Sequence, residues 1–329
     1  MKVLVKQSKK KSSKLNYIIA FVLLIIIVII ASNPAKYSKV AFKGIEVWVK
    51  FLVPTLFPFF VLTRLFSSTG VINDFTKIFA KPFKKLYNCP PISSYIFLMS
   101  IITGYPVGAK LTSDCYDNGT LNKSEAIKTL SFCSNSGPMF ILGSVAIGMF
   151  LNAKMGIIIY ISHIFGSLLN GLIYRNIGKT EQNSKPTLNT SQNDINLSES
   201  ISSSISSIML IGGVICFTFV IIEIVTSSLI FKQIINTISF TGLNTNLINS
   251  IFSGVFEITQ GCLLLSSLPY SFNTLTLLCT FIISFGGIST LLQATAFTRK
   301  IIHTKLFILQ KLTHSAIASI ICFVILLFI

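Results

Sequence analysis

Residues 92–110 read ISSYIFLMSIITGYPVGAK and residues 130–143 read LSFCSNSGPMFILG. Each stretch is apolar enough for a membrane interior, and each stops short. The largely apolar stretch Ile92 to Thr103 is only 12 residues long, whereas a hydrocarbon core needs roughly 20. Gly104-Tyr105-Pro106 interrupts the first stretch, and Asn135-Ser136-Gly137-Pro138 interrupts the second. Backbone freed from helical hydrogen bonds survives at membrane depth only where it faces protein or a polar cavity. Two such breaks in succession therefore predict broken helices gathered around an interior site.

Composition sets the frame for these breaks. The chain has 329 residues, 52% hydrophobic and 11% charged, with a mean hydropathy of +0.76. Soluble domains average about 25% charged residues, so a soluble domain is excluded and the chain reads as an integral membrane protein. The net charge of +17 would suggest nucleic acid in a soluble chain. Here 15 of the 27 Lys and Arg precede residue 86 and flank apolar runs. That pattern describes cytoplasmic loops and contact with anionic lipid, with no nucleic-acid partner. The seven cysteines are scattered and never paired as C-x-x-C, so neither a disulfide framework nor a zinc site is expected.

Residues 1–35 carry six lysines followed by the apolar run Tyr17 to Ala31. This reads as an uncleaved anchor, although Ala31-Ser32-Asn33-Pro34-Ala35 has the small residues of a signal-peptide cleavage site. Lys36, Lys39, Lys43, Glu46 and Lys50 form one helical stripe. They predict an amphipathic helix at the interface, or one packed back on protein. Phe51 to Phe66, with Pro54 and Pro58, predicts a kinked span ending near Arg64. Phe75 to Tyr87 reads as a basic surface piece, and Asn122 with Glu125 as a capping box. Met155 to Tyr174 is a plain span, and residues 179–200 form a polar linker. Further spans are expected over Ile205 to Ile230, Leu247 to Leu268, Leu275 to Phe297 and Ile317 to Ile329, the last after a loop containing Arg299, Lys300, Lys305 and Lys311. The fold class expected is all-α and polytopic, with about eight spanning or half-spanning helices.

The second half, 201–329, echoes the first, 36–178, at an offset of roughly 155. Thr103-Gly104 falls beside Thr259 to Gly261, and Ser131-Phe132 with its break falls beside Ser284-Phe285-Gly286-Gly287. Interrupted apolar segments at matching places in two halves point to a transporter site near the bilayer midplane.

L-F-P-F-F-V-L (Leu56 to Leu62), S-I-I-T-G-Y-P-V-G-A-K (Ser100 to Lys110), N-K-S-E-A (Asn122 to Ala126), L-S-F-C-S-N-S-G-P-M-F-I-L-G (Leu130 to Gly143) and G-V-F-E-I-T-Q-G (Gly254 to Gly261) resemble the YlbJ-type, or SpoVV, sporulation integral membrane proteins. The resemblance runs from about residue 40 to the C-terminus and is thinner in the second half, with Ser136-Gly137 and Gln260 as mild departures. It implies two nucleoside-recognition (Gate) repeats, similar to the core of concentrative nucleoside transporters. It also implies export of dipicolinic acid from the mother cell across the outer forespore membrane during sporulation, possible contact with other sporulation membrane proteins, and no cofactor.

The candidate substrate-binding residues are Thr103, Gly104, Tyr105, Lys110, Asn135, Ser136, Gly137, Glu257, Thr259, Ser284, Ser289 and Gln293. Lys110 would meet a carboxylate of a small anionic substrate or else snorkel to the interface. Glu257, a carboxylate inside an apolar run, is costly and so a functional candidate by default, or a packing partner. Glu223 has the same two readings. The uncharged polar residues either ligate or knit helices, and Gly104, Gly137, Gly286 and Gly287 permit breaks. His163, His303 and His314 read as surface or packing residues. No metalloprotease, nucleophile-elbow or phosphate-loop pattern occurs, so an enzyme is not expected. A carrier of nucleosides or other neutral solutes and a non-transporting sporulation scaffold remain rival readings.

Overall fold

The computed structural model describes residues 14–69, 71–178, 196–239, 242 and 244–329. Most of the polar linker, 179–195, and the lysine-rich residues 1–13 lie outside the described residues. Every regular element described is helical. Among them, five helical stretches are long and apolar enough to cross a membrane: Pro34–Phe66, Ala153–Ile173, Leu197–Ser227, Phe272–Thr298 and Thr304–Leu327. Shorter apolar helices fill the space between them.

Helix α1 (Lys14–Ser32) touches only α2 (Pro34–Val47) appreciably, and its large side chains from Tyr17 to Val28 are mostly exposed. An apolar helix bare on nearly every side fits lipid and not water. Asn33 caps α2 by accepting the Lys36 N–H, with Pro34 at the first helical position. The charged stripe that starts on α2 stays exposed at Lys39, Lys43, Glu46 and Lys50. The neighbouring face, Tyr37, Gly44 and Val47, packs back on protein, buried against α9 (Leu197–Ser227). Small residues permit this approach: the Trp48 ring lies over Gly212, where an added Cβ would sit 2.6 Å from the indole, and its Nε1 donates to the Ile208 carbonyl at 3.1 Å. Lys36 closes the contact with an ion pair to Glu223 at 2.8 Å. Glu223 thus stitches two helices together.

A π-helical turn, Trp48–Leu52, leads into α3 (Val53–Ser68), which carries Pro58 internally. Helix α4 (Val71–Tyr87) turns Phe83 and Tyr87 inward while Lys84 and Lys85 stay exposed. With Phe97 and Phe132, those rings form a cluster of centroids 4.8 to 6.0 Å apart.

Helices α5 (Ile92–Thr103) and α6 (Val107–Asp117) form a hairpin around Gly104. Helix α7 (Lys123–Cys133) opens with the expected capping box: Asn122 Oδ1 accepts the Glu125 N–H, and Glu125 Oε2 accepts the Asn122 N–H, both at 2.9 Å. After the break at 134–138 the chain resumes as a π-helical segment, Met139–Met149, and then α8 (Ala153–Ile173). The second half repeats this order: α9, the short α10 (Leu229–Ser239), the hairpin α11 (Thr245–Phe256) with α12 (Ile258–Ser266), the broken pair α13 (Phe272–Phe285) and α14 (Gly287–Thr298), and α15 (Thr304–Leu327).

The register is tighter than the sequence offset suggested. Thr103 and Phe256, each closing the first arm of its hairpin, are 153 residues apart. Glu257 is therefore the counterpart of Gly104, and Thr259 lies two residues past the break. Packing follows an approximate two-fold pattern, because α6 meets α14 as α12 meets the Met139–Met149 segment, while α7 and α13 each touch both α8 and α15. The long helices of the pattern cross at its centre, where a Cβ added to Gly166 of α8 would lie 2.8 Å from that of Ala318 on α15.

Candidate functional site

Four breaks converge between the halves. Each hairpin tip touches the broken helix of its own half. Gly104, at φ +79°, lies against Gly137, so that an added Cβ would stand 2.6 Å from the Gly137 nitrogen. In the second half, a Cβ on Gly287 would stand 3.3 Å from the Phe256 carbonyl oxygen. Tyr105 crosses between halves: its hydroxyl lies 3.0 Å from where a Gly286 Cβ would be. Glycine at 104, 286 and 287 serves both the positive φ and the close approach, and Gly137 the close approach alone.

The tips and breaks enclose an inner cavity of about 90 Å³. Its wall includes Thr103, Gly104, Tyr105, Ser136, Gly137, Glu257, Thr259, Ser289 and Gln293, all predicted from sequence, together with apolar side chains of α3 and α9 such as Phe60 and Ile211. Asn135, Ser284 and Lys110 are not part of that wall. Asn135 points into protein, donating from Nδ2 to Ser100 Oγ at 3.1 Å and to the Phe132 carbonyl at 2.8 Å, which ties the first break to the first hairpin. Ser284 meets His163 Nδ1 at 2.9 Å. Lys110 is exposed and lines an outer cavity of about 550 Å³, along with Arg64, Asp114 and Glu199. Phe60, Thr103, Tyr105, Ile211 and Gln293 border both cavities and form the neck between them.

Glu257 is the one charged residue in the inner wall and is 4% exposed. Its extended backbone (φ −145°, ψ 120°) starts α12, and its Oε2 accepts the Gln260 N–H at 2.7 Å. The carboxylate thus caps a helix whose first N–H groups would otherwise be orphaned in the membrane.

A buried polar cluster behind the wall was not foreseen. Lys311 lies in α15 and is not in a basic loop; it is 2% exposed, with His163 and His314 at 0% and 1%. The sequence signal was available. His163 and His314 are 151 residues apart, the same spacing as the first residues of α8 and α15, so they are repeat counterparts. Their ring centroids lie 4.8 Å apart. His163 Nε2 accepts the Ser136 N–H at 2.9 Å, joining the first break to α8. Asn170 completes the join, donating to the carbonyls of Ser131 at 2.7 Å and Gln310 at 3.0 Å.

Two repeats of broken helices around a neck-linked pair of cavities define a polytopic helical membrane protein with an interior solute-sized site. In comparison with known proteins, the chain is 27% identical over 338 aligned positions to sporulation integral membrane protein YlbJ of Bacillus subtilis (strain 168), an alignment covering 94% of this chain and 82% of that protein. This similarity supports a sporulation membrane protein of the YlbJ type. No family model matches the chain, and no solved structure does.

Proposed function

We propose that the chain is a carrier for a small dicarboxylate, dipicolinate, moving it out of the mother cell across the outer forespore membrane, with the two halves acting as Gate-like repeats. The observation that carries this reading is the paired cavity: an outer chamber in which Arg64 and Lys110 offer two cations beside the carboxylates of Asp114 and Glu199, adjoining through a narrow neck an inner chamber walled by all four breaks. The inner chamber is the smaller, about 90 Å³ against about 550 Å³ for the outer, so a dianion loads first in the outer chamber. Half-helix N-termini at the breaks supply N–H groups and positive dipole ends along that path. Arg64 is partly buried and held by Ser207 Oγ at 2.9 Å and the Ser203 carbonyl at 3.3 Å, so its guanidinium is fixed in place.

A second reading rests on Glu257. An inner wall with one carboxylate and no basic side chain suits a neutral solute bearing donors, such as a nucleoside. Uptake of labelled dipicolinate and labelled uridine into proteoliposomes separates the two. Saturable dipicolinate uptake is expected, with Arg64→Gln raising KM about tenfold, the value of one charge-assisted hydrogen bond. Uridine uptake with no dipicolinate uptake would transfer the assignment to the neutral carrier. Uptake of neither would leave a sporulation scaffold as the standing reading.

A further inference from the structure

The Lys311 ammonium has all three donors occupied: Tyr105 Oη at 2.8 Å, the Ser134 carbonyl at 2.7 Å and His314 Nδ1 at 3.3 Å. Tyr105 belongs to the first hairpin tip and Ser134 to the first break, so one nitrogen on α15 clamps the two pieces that wall the inner cavity. His314 Nδ1 accepts from Lys311, which places the His314 proton on Nε2, facing the His163 carbonyl at 2.9 Å. His163 Nε2 likewise accepts, from Ser136, which leaves its proton on Nδ1 toward Ser284. Both rings are neutral in this arrangement, and the exchangeable charge is the ammonium. Among the described residues no carboxylate forms an ion pair with it.

The ionisable groups facing Lys311 are His314 on its own helix, His163 from α8 and Tyr105 from the first tip. Elsewhere along the helices packed on α15 stand Glu125, Lys128 and Cys133 of α7, Lys154, Tyr160 and Tyr174 of α8 and Cys279 of α13, and none of these hydrogen-bonds to the ammonium. Tyr105 borders both cavities, so the clamp reaches the water path. An uncompensated ammonium at membrane depth is costly unless it is used. Losing its proton turns charge-assisted bonds to Tyr105 and Ser134 into weaker neutral ones.

We infer that Lys311 is a proton-binding site that latches the first hairpin tip onto the first break, protonation closing the neck and deprotonation freeing it. The latch does not depend on which solute is carried, and its coupling to transport rests on the carrier reading. The test follows the neck directly in the full chain in detergent micelles. A Thr103→Cys variant is reacted with a water-soluble maleimide from about pH 5 to about pH 9, and its rate is divided by that of Lys123→Cys, on an exposed helix start, to cancel thiolate ionisation. The unsubstituted chain gives the background of its own cysteines. The ratio is expected to rise about tenfold with pH, in keeping with the loss of a charge-assisted bond. Lys311→Met should hold the ratio high and flat, and Lys311→Arg low and flat. A ratio independent of pH in the parent, or a titration that survives in Lys311→Arg, overturns the inference. Lys311→Arg keeps the test decisive if Lys311→Met does not fold. Absence of dipicolinate uptake would sink the carrier reading while leaving the labelling result intact.

Discussion

Glu257→Ala is expected to abolish solute movement and to lower stability by about 2 kcal/mol, the upper range for loss of a helix cap. The cost arises because the carboxylate accepts the Gln260 N–H at 2.7 Å in a setting only 4% exposed, where water cannot replace it. Glu257→Gln separates cap from charge, since its amide oxygen still accepts that N–H. It is expected to fold within about 1 kcal/mol of the parent, as read by thermal unfolding in micelles, yet to lose about 100-fold or more in transport rate. The reason is that no basic side chain lines the inner cavity to neutralise the carboxylate. A buried, unpaired charge of this kind is retained where it meets a coupling cation, a proton or a donor on the solute. Parental transport by Glu257→Gln would reduce Glu257 to a cap.

The breaks were legible because glycine and proline act locally. A largely apolar stretch of 12 residues followed by Gly104-Tyr105-Pro106 allows only a helix that stops, and the first arm ends at Thr103 as read. Asn122 and Glu125 form a box with a three-residue signature for the same reason. Lys311 was illegible because it falls in step with Arg299, Lys300 and Lys305, which look like one basic loop. What places it inside is the helical phase shared by Phe307, Gln310, Lys311, His314, Ser315 and Ala318, all buried along α15. That inward face is polar, so an apolar scan begins the span too late. The packing of α2 was illegible for a different reason: Gly212 beneath Trp48 and Glu223 beside Lys36 lie some 160 and 190 residues away, and no local pattern encodes such pairings.

Replacement of Gly108 should damage the fold as much as any single methyl addition near the site. Gly108 opens the second arm of the first hairpin, and a Cβ there would collide with the Cys133 carbonyl oxygen and stand 2.8 Å from the Ser100 Cβ. The obstacle is backbone at the end of α7, beside the break, so it cannot rotate away as a flexible side chain would. Gly108→Ala is expected to cost about 3 kcal/mol, the upper range for overpacking. Its repeat counterpart, Gly261, sits 153 residues on and would collide with the Gly254 backbone across the second hairpin, so Gly261→Ala should cost about the same. Gly213→Ala is the control: nothing lies within 4 Å of its Cβ, and in mid-helix alanine is favoured over glycine by about 1 kcal/mol. Thermal unfolding of the three variants in one detergent measures the series. Equal stability of Gly108→Ala and Gly213→Ala would mean that the hairpin arms do not press together as described. If Gly108→Ala and Gly261→Ala fall together, the two hairpins are equivalent devices, each holding its tip at the cavity by backbone contact that no larger residue permits.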